Sequence, residues 1–334
     1  MAPVLARPAP PTQLAAVLVG GAMLTGLAMG LVVGCRPSSP APGAPATGAE
    51  VIVAADGVLC DLTRTLAQTA ATVVCLVPPG EDPHGLRLTP EQRQQLARAR
   101  RVYITGYGLT PQLATWPGAR PVAELAVPHS PLLDPERQVR DPHVWHDPKQ
   151  SQAMVTWLAQ DLAAALPLQA AAIARRAHTM DGLLGELDQW NRVQLATIPA
   201  GPSGQPPVLA SGHRGFASLA RAYGLRELAL VDGMSSSLSL RPQSVSKALQ
   251  WLQQQHVRQL FSETIPPARA LQRLSTLSGI AIAPKAVVVD GLAQADPSLP
   301  ATAIANTCVI SEGLGGRCDQ KAAEGIASRW RVIR

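Results

Sequence analysis

The chain has 334 residues, of which 46% are hydrophobic and only 3% are aromatic, so Ala, Leu and Val must fill most of any core. This length favours two domains. The formal net charge of +6 is spread along the chain and includes no basic run interleaved with aromatic residues. That pattern argues against nucleic acid as a partner.

The first 35 residues are predicted to be a targeting segment rather than part of the fold. Arg7 precedes an uncharged stretch from Leu14 to Gly34, which ends at a Val-Val-Gly-Cys sequence that resembles the lipobox of bacterial lipoproteins. We expect cleavage before Cys35 and a diacylglycerol on its thiol; the alternative is an uncleaved transmembrane anchor, since the stretch is just long enough to span a bilayer. Residues 36–50 form a Pro, Ala, Ser and Gly tether that cannot bury a core, so the fold begins near Val51, outside the cytoplasmic membrane.

Short apolar strands alternate with helices after the tether. Asp56 is expected to cap the helix that follows the first strand, and a second helix is predicted over residues 90–99. The predicted strands are residues 51–55, 72–77, 101–105 and 121–126. This β-α-β alternation indicates a parallel sheet covered by helices.

The middle of the chain loses the strand signal, and from residue 149 to 198 its apolar residues recur at helical spacing. We predict one helix followed by a second of about 30 residues (167–198), which would be about 45 Å long. Gly182 and Gly185 each lower the helix propensity of its middle by about 1 kcal/mol relative to Ala. Such a helix can tie two lobes together.

A second alternating series follows the long helix. Strands are predicted at residues 208–210, 228–231, 259–261 and 280–289, and helices near 214–223, 242–255 and 267–277, with a helical tail (319–334) that closes the second lobe. The predicted fold class is α/β, with an N-terminal lobe (51–166) and a C-terminal lobe (199–334). Each lobe is a mostly parallel sheet flanked by helices, and the rigid interdomain helix joins them.

Four cysteines follow the targeting segment, and an extracytoplasmic location permits disulfides. Cys308 and Cys318 bracket a Gly-rich loop (309–317), and we predict that they are paired. Cys60 and Cys75 are either a second bridge, between the first helix and the next strand, or two buried thiols.

Four short frames each contain a metal-type ligand. They are Gly-Glu-Asp-Pro-His at 80–84, Asp-Pro-His-Val-Trp-His-Asp-Pro at 141–148, Ser-Gly-His-Arg-Gly-Phe at 211–216 and Val-Asp-Gly-Leu at 289–292. Three imidazoles and one carboxylate form an N3O set that suits a divalent transition metal. Each candidate follows a predicted strand, and loops at the carboxyl ends of two sheets can converge on one cleft.

In their order and content these frames resemble the metal-binding lipoprotein of bacterial zinc/manganese ABC importers, an extracytoplasmic solute-binding family with a rigid interdomain helix. The resemblance runs from about Val51 to Leu292; the Pro-His-Val-Trp block around His143 is its most specific part, and Asp290 is its weakest match. It implies that His84 and His143 bind the metal from the first lobe, and that His213 and Asp290 bind it from the second. It also implies a monomer that delivers metal to an ABC-type permease and has no enzymatic activity.

Zinc is the expected cargo, with manganese (or iron) as the alternative. Family members that favour manganese often have glutamate where this chain has His213, and imidazole ligands suit zinc better than manganese. One departure from the zinc-binding pattern is the segment 127–140, which contains only His129 where zinc members commonly carry a His-rich loop.

The rival function is a membrane-anchored zinc hydrolase, which would keep an open water position and a general base. The chain contains no His-Glu-x-x-His, Gly-x-Ser-x-Gly or phosphate-loop motif.

We expect Asp141 and Asp147 to orient His143. His146 is expected to be a partly exposed loop histidine, with a supporting or alternative ligand role left open.

Overall fold

The computed structural model describes residues 50–230 and 242–333. The targeting segment with Cys35, the tether before Glu50 and the predicted strand end at Val231 lie outside the described residues. Within the described part of the chain, every helix is too short or too polar to span a lipid bilayer.

The first half of the chain builds one parallel sheet and a small hairpin. Its strands are β1 (Val51–Ala54), β2 (Thr72–Cys75), β3 (Arg101–Ile104), β4 (Ala119–Pro121), β5 (Leu132–Asp134) and β6 (Val139–Arg140), and its helices are α1 (Gly57–Ala67), α2 (Pro90–Arg98) and α3 (Val122–Ala126). The parallel sheet has the order β2-β1-β3-β4, and β5 pairs with β6 in antiparallel fashion.

Local sequence explains where the first helices begin. The Asp56 side chain accepts a hydrogen bond from the Leu59 N–H at 2.9 Å and caps α1, as predicted. Thr89 and Gln92 form a reciprocal capping box at the start of α2, where Pro90 occupies a position that needs no N–H donor.

The predicted strand 121–126 is wrong. β4 ends at Pro121, and the Val-Ala-Glu-Leu-Ala sequence that follows forms α3. Ala, Leu and Glu are good helix formers, and the N–H of Ala123 bonds to the Thr105 carbonyl at 2.9 Å, which turns the chain back over the sheet.

Two long helices follow: α4 (Pro148–Ala165) and, after a 3₁₀ turn at Pro167–Gln169, α5 (Ala170–Leu195). With 26 residues, α5 is shorter than predicted and about 39 Å long. Gly182 and Gly185 lie inside it without interrupting the helix. Its buried residues from Ile173 to Trp190 pack in the core beneath the first sheet, whereas Leu195 packs in the core of the second half.

The second half contains a smaller parallel sheet with the order β8-β7-β9. Its strands are β7 (Val208–Ser211), β8 (Arg226–Ala229) and β9 (Leu260–Phe261), and its helices are α6 (Ala217–Tyr223), α7 (Pro242–Gln254), α8 (Arg269–Ser278), α9 (Leu299–Gly313) and α10 (Lys321–Arg331). The predicted strand 280–289 contributes only one bridge, between Ile282 and Leu260. Pro284 lacks the N–H that a further ladder bond requires, and the chain bends there.

The C-terminal helices differ from expectation in place and extent. Cys308 lies within α9, so the predicted Gly-rich loop is helical as far as Gly313. The side chain of Trp330 in α10 donates to Asp61 of α1 at 3.1 Å, and Gln68 donates to the Ile333 carbonyl at 2.9 Å. The tail therefore covers helices of the first half and does not close the second sheet; the predicted domain boundaries stay a prediction.

Both cysteine pairs form disulfides. Cys308 bonds to Cys318, as predicted, with a Cα–Cα distance of 5.1 Å. Cys60 of α1 bonds to Cys75 of β2 at 5.6 Å, which settles the alternative that the sequence left open. Both separations lie within the usual range of about 4.4–6.8 Å.

Candidate metal centre

The four predicted ligands lie on loops from both halves of the chain. His84 sits in a 3₁₀ turn (Pro83–Gly85) after β2, where the Asp82 side chain accepts the His84 N–H at 2.8 Å. His143 precedes the 3₁₀ turn Val144–His146 that leads into α4. His213 lies two residues after β7, and Asp290 follows the segment 280–289, which makes one strand bridge at Ile282.

The structure brings these four side chains together, with one potential ligand atom from each lying within 4.8 Å of all the others. Asp290 Oδ1 is 3.1 Å from His143 Nε2 and 3.3 Å from His84 Nε2, and Asp290 Oδ2 is 3.5 Å from His213 Nε2. The Nε2 atoms of His84 and His143 are 3.3 Å apart. A tetrahedral zinc ion with bonds of about 2.0–2.1 Å holds its ligand atoms about 3.3 Å apart. The cluster therefore has the size that such an ion requires.

Asp141 determines which nitrogen of His143 faces the cluster. His143 and Asp141 are fully buried, and Asp141 Oδ1 lies 3.0 Å from His143 Nδ1. An ionised carboxylate can only accept, so Nδ1 carries a proton and Nε2 is the nitrogen that faces the other three predicted ligands. Asp141 is itself held by the N–H and hydroxyl of Ser218, both of which donate to its Oδ2.

Glu263 does the same for His213, and sequence analysis missed it. Glu263 Oε2 lies 2.8 Å from His213 Nδ1, and its Oε1 accepts the His213 backbone N–H at 3.0 Å. His213 Nε2 is buried and has no hydrogen-bond partner, a state that a metal bond would relieve. Glu263 lies two residues after the end of β9, so the rule that sites form at the carboxyl ends of strands contained the signal.

The charges of the cluster perturb its pKa values. Burial lowers the pKa of His143, but hydrogen bonds and charges from Asp141 and Asp290 outweigh it and raise that pKa to about 9. Burial also lowers the pKa of His213, and the carboxylates of Asp290 and Glu263 raise it to about 10. Burial raises the pKa of Asp290, but the three imidazoles that surround its carboxylate hold that pKa well below the usual range. A metal ion must displace protons from these histidines, so its binding weakens as pH falls.

A family model described as the periplasmic component A of a zinc-uptake complex matches residues 52–312, which include all four predicted ligands. The chain belongs to this family. The zinc-binding protein TroA of Treponema pallidum is 25% identical over 254 residues, covering 74% of this chain and 81% of that protein. The manganese-binding lipoprotein MntA of Bacillus subtilis is 24% identical over 221 residues, covering 64% of this chain and 70% of that protein.

Solved structures show the same fold. Fe(III)-bound YtgA from Chlamydia trachomatis superposes with a TM-score of 0.72 at 20% identity, covering 81% of this chain and 99% of that one. The periplasmic zinc-binding protein TroA from Treponema pallidum also gives 0.72, at 22% identity, covering 80% and 99%. These likenesses confirm the predicted two-lobed α/β fold. The family is one of metal-binding transport receptors and not of enzymes, which excludes the hydrolase alternative.

Asp147 and the remaining histidines lie outside the four-residue cluster. His146 is 4% exposed, so the prediction of a partly exposed loop residue is wrong. Its Nε2 donates to the Val289 carbonyl at 2.9 Å, and burial lowers its pKa to about 4. Asp147 caps α4 by accepting the Lys149 N–H, rather than orienting His143. The exposed histidines outside the cluster are His129, His178 and His256.

Gly215 completes the wall of the site because only hydrogen fits there. A Cβ at this position would collide with Val289 Cγ1 and come within 3.3 Å of His213 Nε2 and 3.5 Å of His143 Cγ. The close approach of the loop after β7 to the segment before Asp290 thus depends on this glycine.

Proposed function

We propose that this protein is the extracytoplasmic receptor of an ABC importer, that it captures a divalent transition metal with His84, His143, His213 and Asp290, and that it delivers the ion to the permease. The observation that carries the proposal is the convergence of these four side chains, from loops in both halves of the chain, with potential ligand atoms within 4.8 Å of one another. Four protein ligands around one ion leave no open position for a reacting water, which suits binding rather than catalysis.

Zinc is the cargo that the ligand set favours. Three imidazole nitrogens and one carboxylate match the preference of zinc for nitrogen-rich tetrahedral sites. The relative TroA is named for zinc, which supports the same choice. Manganese is the alternative, supported by the relatives named for manganese and by the two Asp290 oxygens that both face the cluster.

The test of this function is metal content and competition. Protein purified without added metal should contain about one equivalent of zinc or manganese. In competition, the wild type should bind zinc more tightly than manganese, and His84→Ala should lose most of that affinity while His178→Ala, which removes an exposed histidine of α5, should keep it. Unchanged affinity in His84→Ala would contradict the proposed site.

The proposed receptor is a monomer held at the outer face of the membrane by a lipid on Cys35. The Val-Val-Gly-Cys sequence and the 15-residue tether that follows support this anchoring. Cys35→Ser should abolish lipid labelling and either release the protein or leave an unprocessed precursor. Unchanged membrane retention with an intact N-terminal segment would instead favour a transmembrane anchor.

A further inference from the structure

His146 links the two loops that contribute His143 and Asp290. It ends the 3₁₀ turn that begins just after His143, and its buried imidazole packs against Phe216 of the second half, with ring centroids 4.8 Å apart. The 2.9 Å hydrogen bond from its Nε2 ends on the carbonyl of Val289, the residue immediately before Asp290. One side chain therefore joins the backbone of the Asp290 loop to the turn that carries His143.

The Asp290 loop is also held by hydrogen bonds on either side of Val289 and Asp290: the Val287 N–H donates to the Ser262 carbonyl at 2.9 Å, and the Leu292 carbonyl accepts the Gly80 N–H at 3.0 Å. Its preceding segment makes a single strand bridge at Ile282, and Asn306 holds Val288 through two hydrogen bonds, to its N–H at 2.8 Å and to its carbonyl at 2.7 Å. Val289 itself is 2% exposed, so a carbonyl left without the imidazole donor would be buried and unpaired. The loop would then shift to let water reach this carbonyl, and the Asp290 carboxylate would move with it.

We infer that His146 is a positioning residue for the metal: by holding the Val289 carbonyl, it sets the place of Asp290 relative to His143 and slows release of the bound ion. The carbonyl oxygen can only accept a hydrogen bond, so Nε2 of His146 carries the proton and is not available to bind the metal. The inference rests on the proposed function, since it concerns retention of the ion at that site.

The experiment compares three substitutions that differ in what they offer the Val289 carbonyl. His146→Gln keeps an amide nitrogen close to the position of Nε2, His146→Asn keeps the same amide on a shorter side chain that does not reach, and His146→Leu removes the donor. Zinc dissociation is followed by transfer to a chromogenic chelator, and the ligand geometry by the visible spectrum of the cobalt(II)-loaded protein.

We expect zinc to dissociate about 10–100-fold faster from the Asn and Leu variants, the usual effect of losing a group that supports a metal ligand. The cobalt spectrum should change in the same two variants, and the Gln variant should restore both properties toward wild type. If the Leu variant does not fold, the Gln and Asn variants still test the hydrogen bond, because both carry the same polar amide and differ only in whether it reaches the Val289 carbonyl. His178→Leu is the matched control and should leave both readouts unchanged.

Two outcomes overturn the inference. Wild-type dissociation and cobalt spectra in the Asn variant would show that the hydrogen bond does not position Asp290. Equally fast release from the Gln and Asn variants would show that the imidazole acts through its packing. Absence of metal binding in the wild type would instead overturn the proposed function, so the two failures are distinguishable.

Discussion

At the residue scale, the hydrogen bond that Nδ1 of a histidine makes determines how its Nε2, the nitrogen facing the cluster, is oriented. Asp141 and Glu263 each accept the Nδ1 proton of a buried histidine, so Nε2 of His143 and of His213 faces Asp290 and is the nitrogen that a metal ion would bind once it displaces the Nε2 proton. Without these carboxylates, either tautomer of the neutral ring would be accessible and the ring could rotate. The centre is thus prepared before the metal arrives.

Replacing His213 with glutamate should shift metal preference toward manganese. The change exchanges an imidazole nitrogen for a carboxylate oxygen, and we expect the ratio of zinc to manganese dissociation constants to rise on the order of tenfold. Both constants must be measured at one pH, because imidazole ligation is linked to proton release. An unchanged ratio would mean that His213 is not a ligand or that geometry alone sets selectivity.

Replacing Gly215 with alanine should damage the site through steric overlap. The new Cβ would collide with Val289 Cγ1, and overpacking of this kind costs about 1–3 kcal/mol of stability. Because Val289 precedes Asp290, zinc affinity should fall as well. Gly325→Ala is the control, since a Cβ there meets nothing within 4 Å. Wild-type zinc affinity and stability in the Gly215 variant would contradict this close approach.

At the element scale, α5 joins the two cores as one continuous helix. Residues near its start pack beneath the first sheet and Leu195 at its end packs in the core of the second half. Sharp helix kinks need a proline or a comparable defect, and α5 contains no proline. We therefore expect metal release to involve the loops that carry His143 and Asp290 rather than bending of α5.

Gly182→Ala should stabilise the protein if α5 is continuous. Gly182 is exposed and a Cβ there meets nothing within 4 Å, so the gain is that of helix propensity, about 0.5–1 kcal/mol. The free energy of unfolding from urea titration of the metal-free protein measures it. A loss of stability would indicate that the helix bends at this glycine.

At the scale of the whole molecule, Asp61 connects the beginning of the fold to its end. It lies in α1 and accepts hydrogen bonds from the Leu299 N–H at the start of α9 and from Trp330 Nε1 in α10. Burial raises the pKa of Asp61 to about 6, although these hydrogen bonds act in the opposite direction. The Asp61 side chain is partly exposed to solvent, which reduces the effect of its raised pKa on the free energy of unfolding.

This raised pKa predicts a pH-dependent loss of stability. Below pH 3.8 the carboxyl is protonated in both states; above it the unfolded chain ionises first, so the free energy of unfolding falls until about pH 6. Asp61→Asn should remove this loss, which is at most about 3 kcal/mol. Urea unfolding of the metal-free wild type and Asp61→Asn, from about pH 3.5 to about pH 7, measures the difference in their free energies of unfolding across both pKa values. Parallel pH profiles would contradict it.

The sequence alone determined the features that depend on neighbouring residues. Asp56 marks the start of α1 because a cap acts within one turn, and Cys308 and Cys318 lie close along the chain, whereas the sequence left the pairing of Cys60 with Cys75 open. The four proposed ligands could be selected because each sits in a short local frame. The strand over 121–126 failed for the converse reason: apolar content does not distinguish a short strand from a short helix.

Only the tertiary structure decided the features that depend on contacts between distant residues. Glu263 meets His213 across 50 residues of sequence, and His146 meets Val289 across 143. The tail packs on α1 because Trp330 finds a partner in Asp61, 269 residues away. No local pattern encodes such pairings, since they arise when two sheets and the helix between them bring separate loops to one place. The proposed ligands, and Asp141 beside His143, could thus be picked out from the sequence, but the distant contacts of Glu263 with His213 and of His146 with Val289 could not.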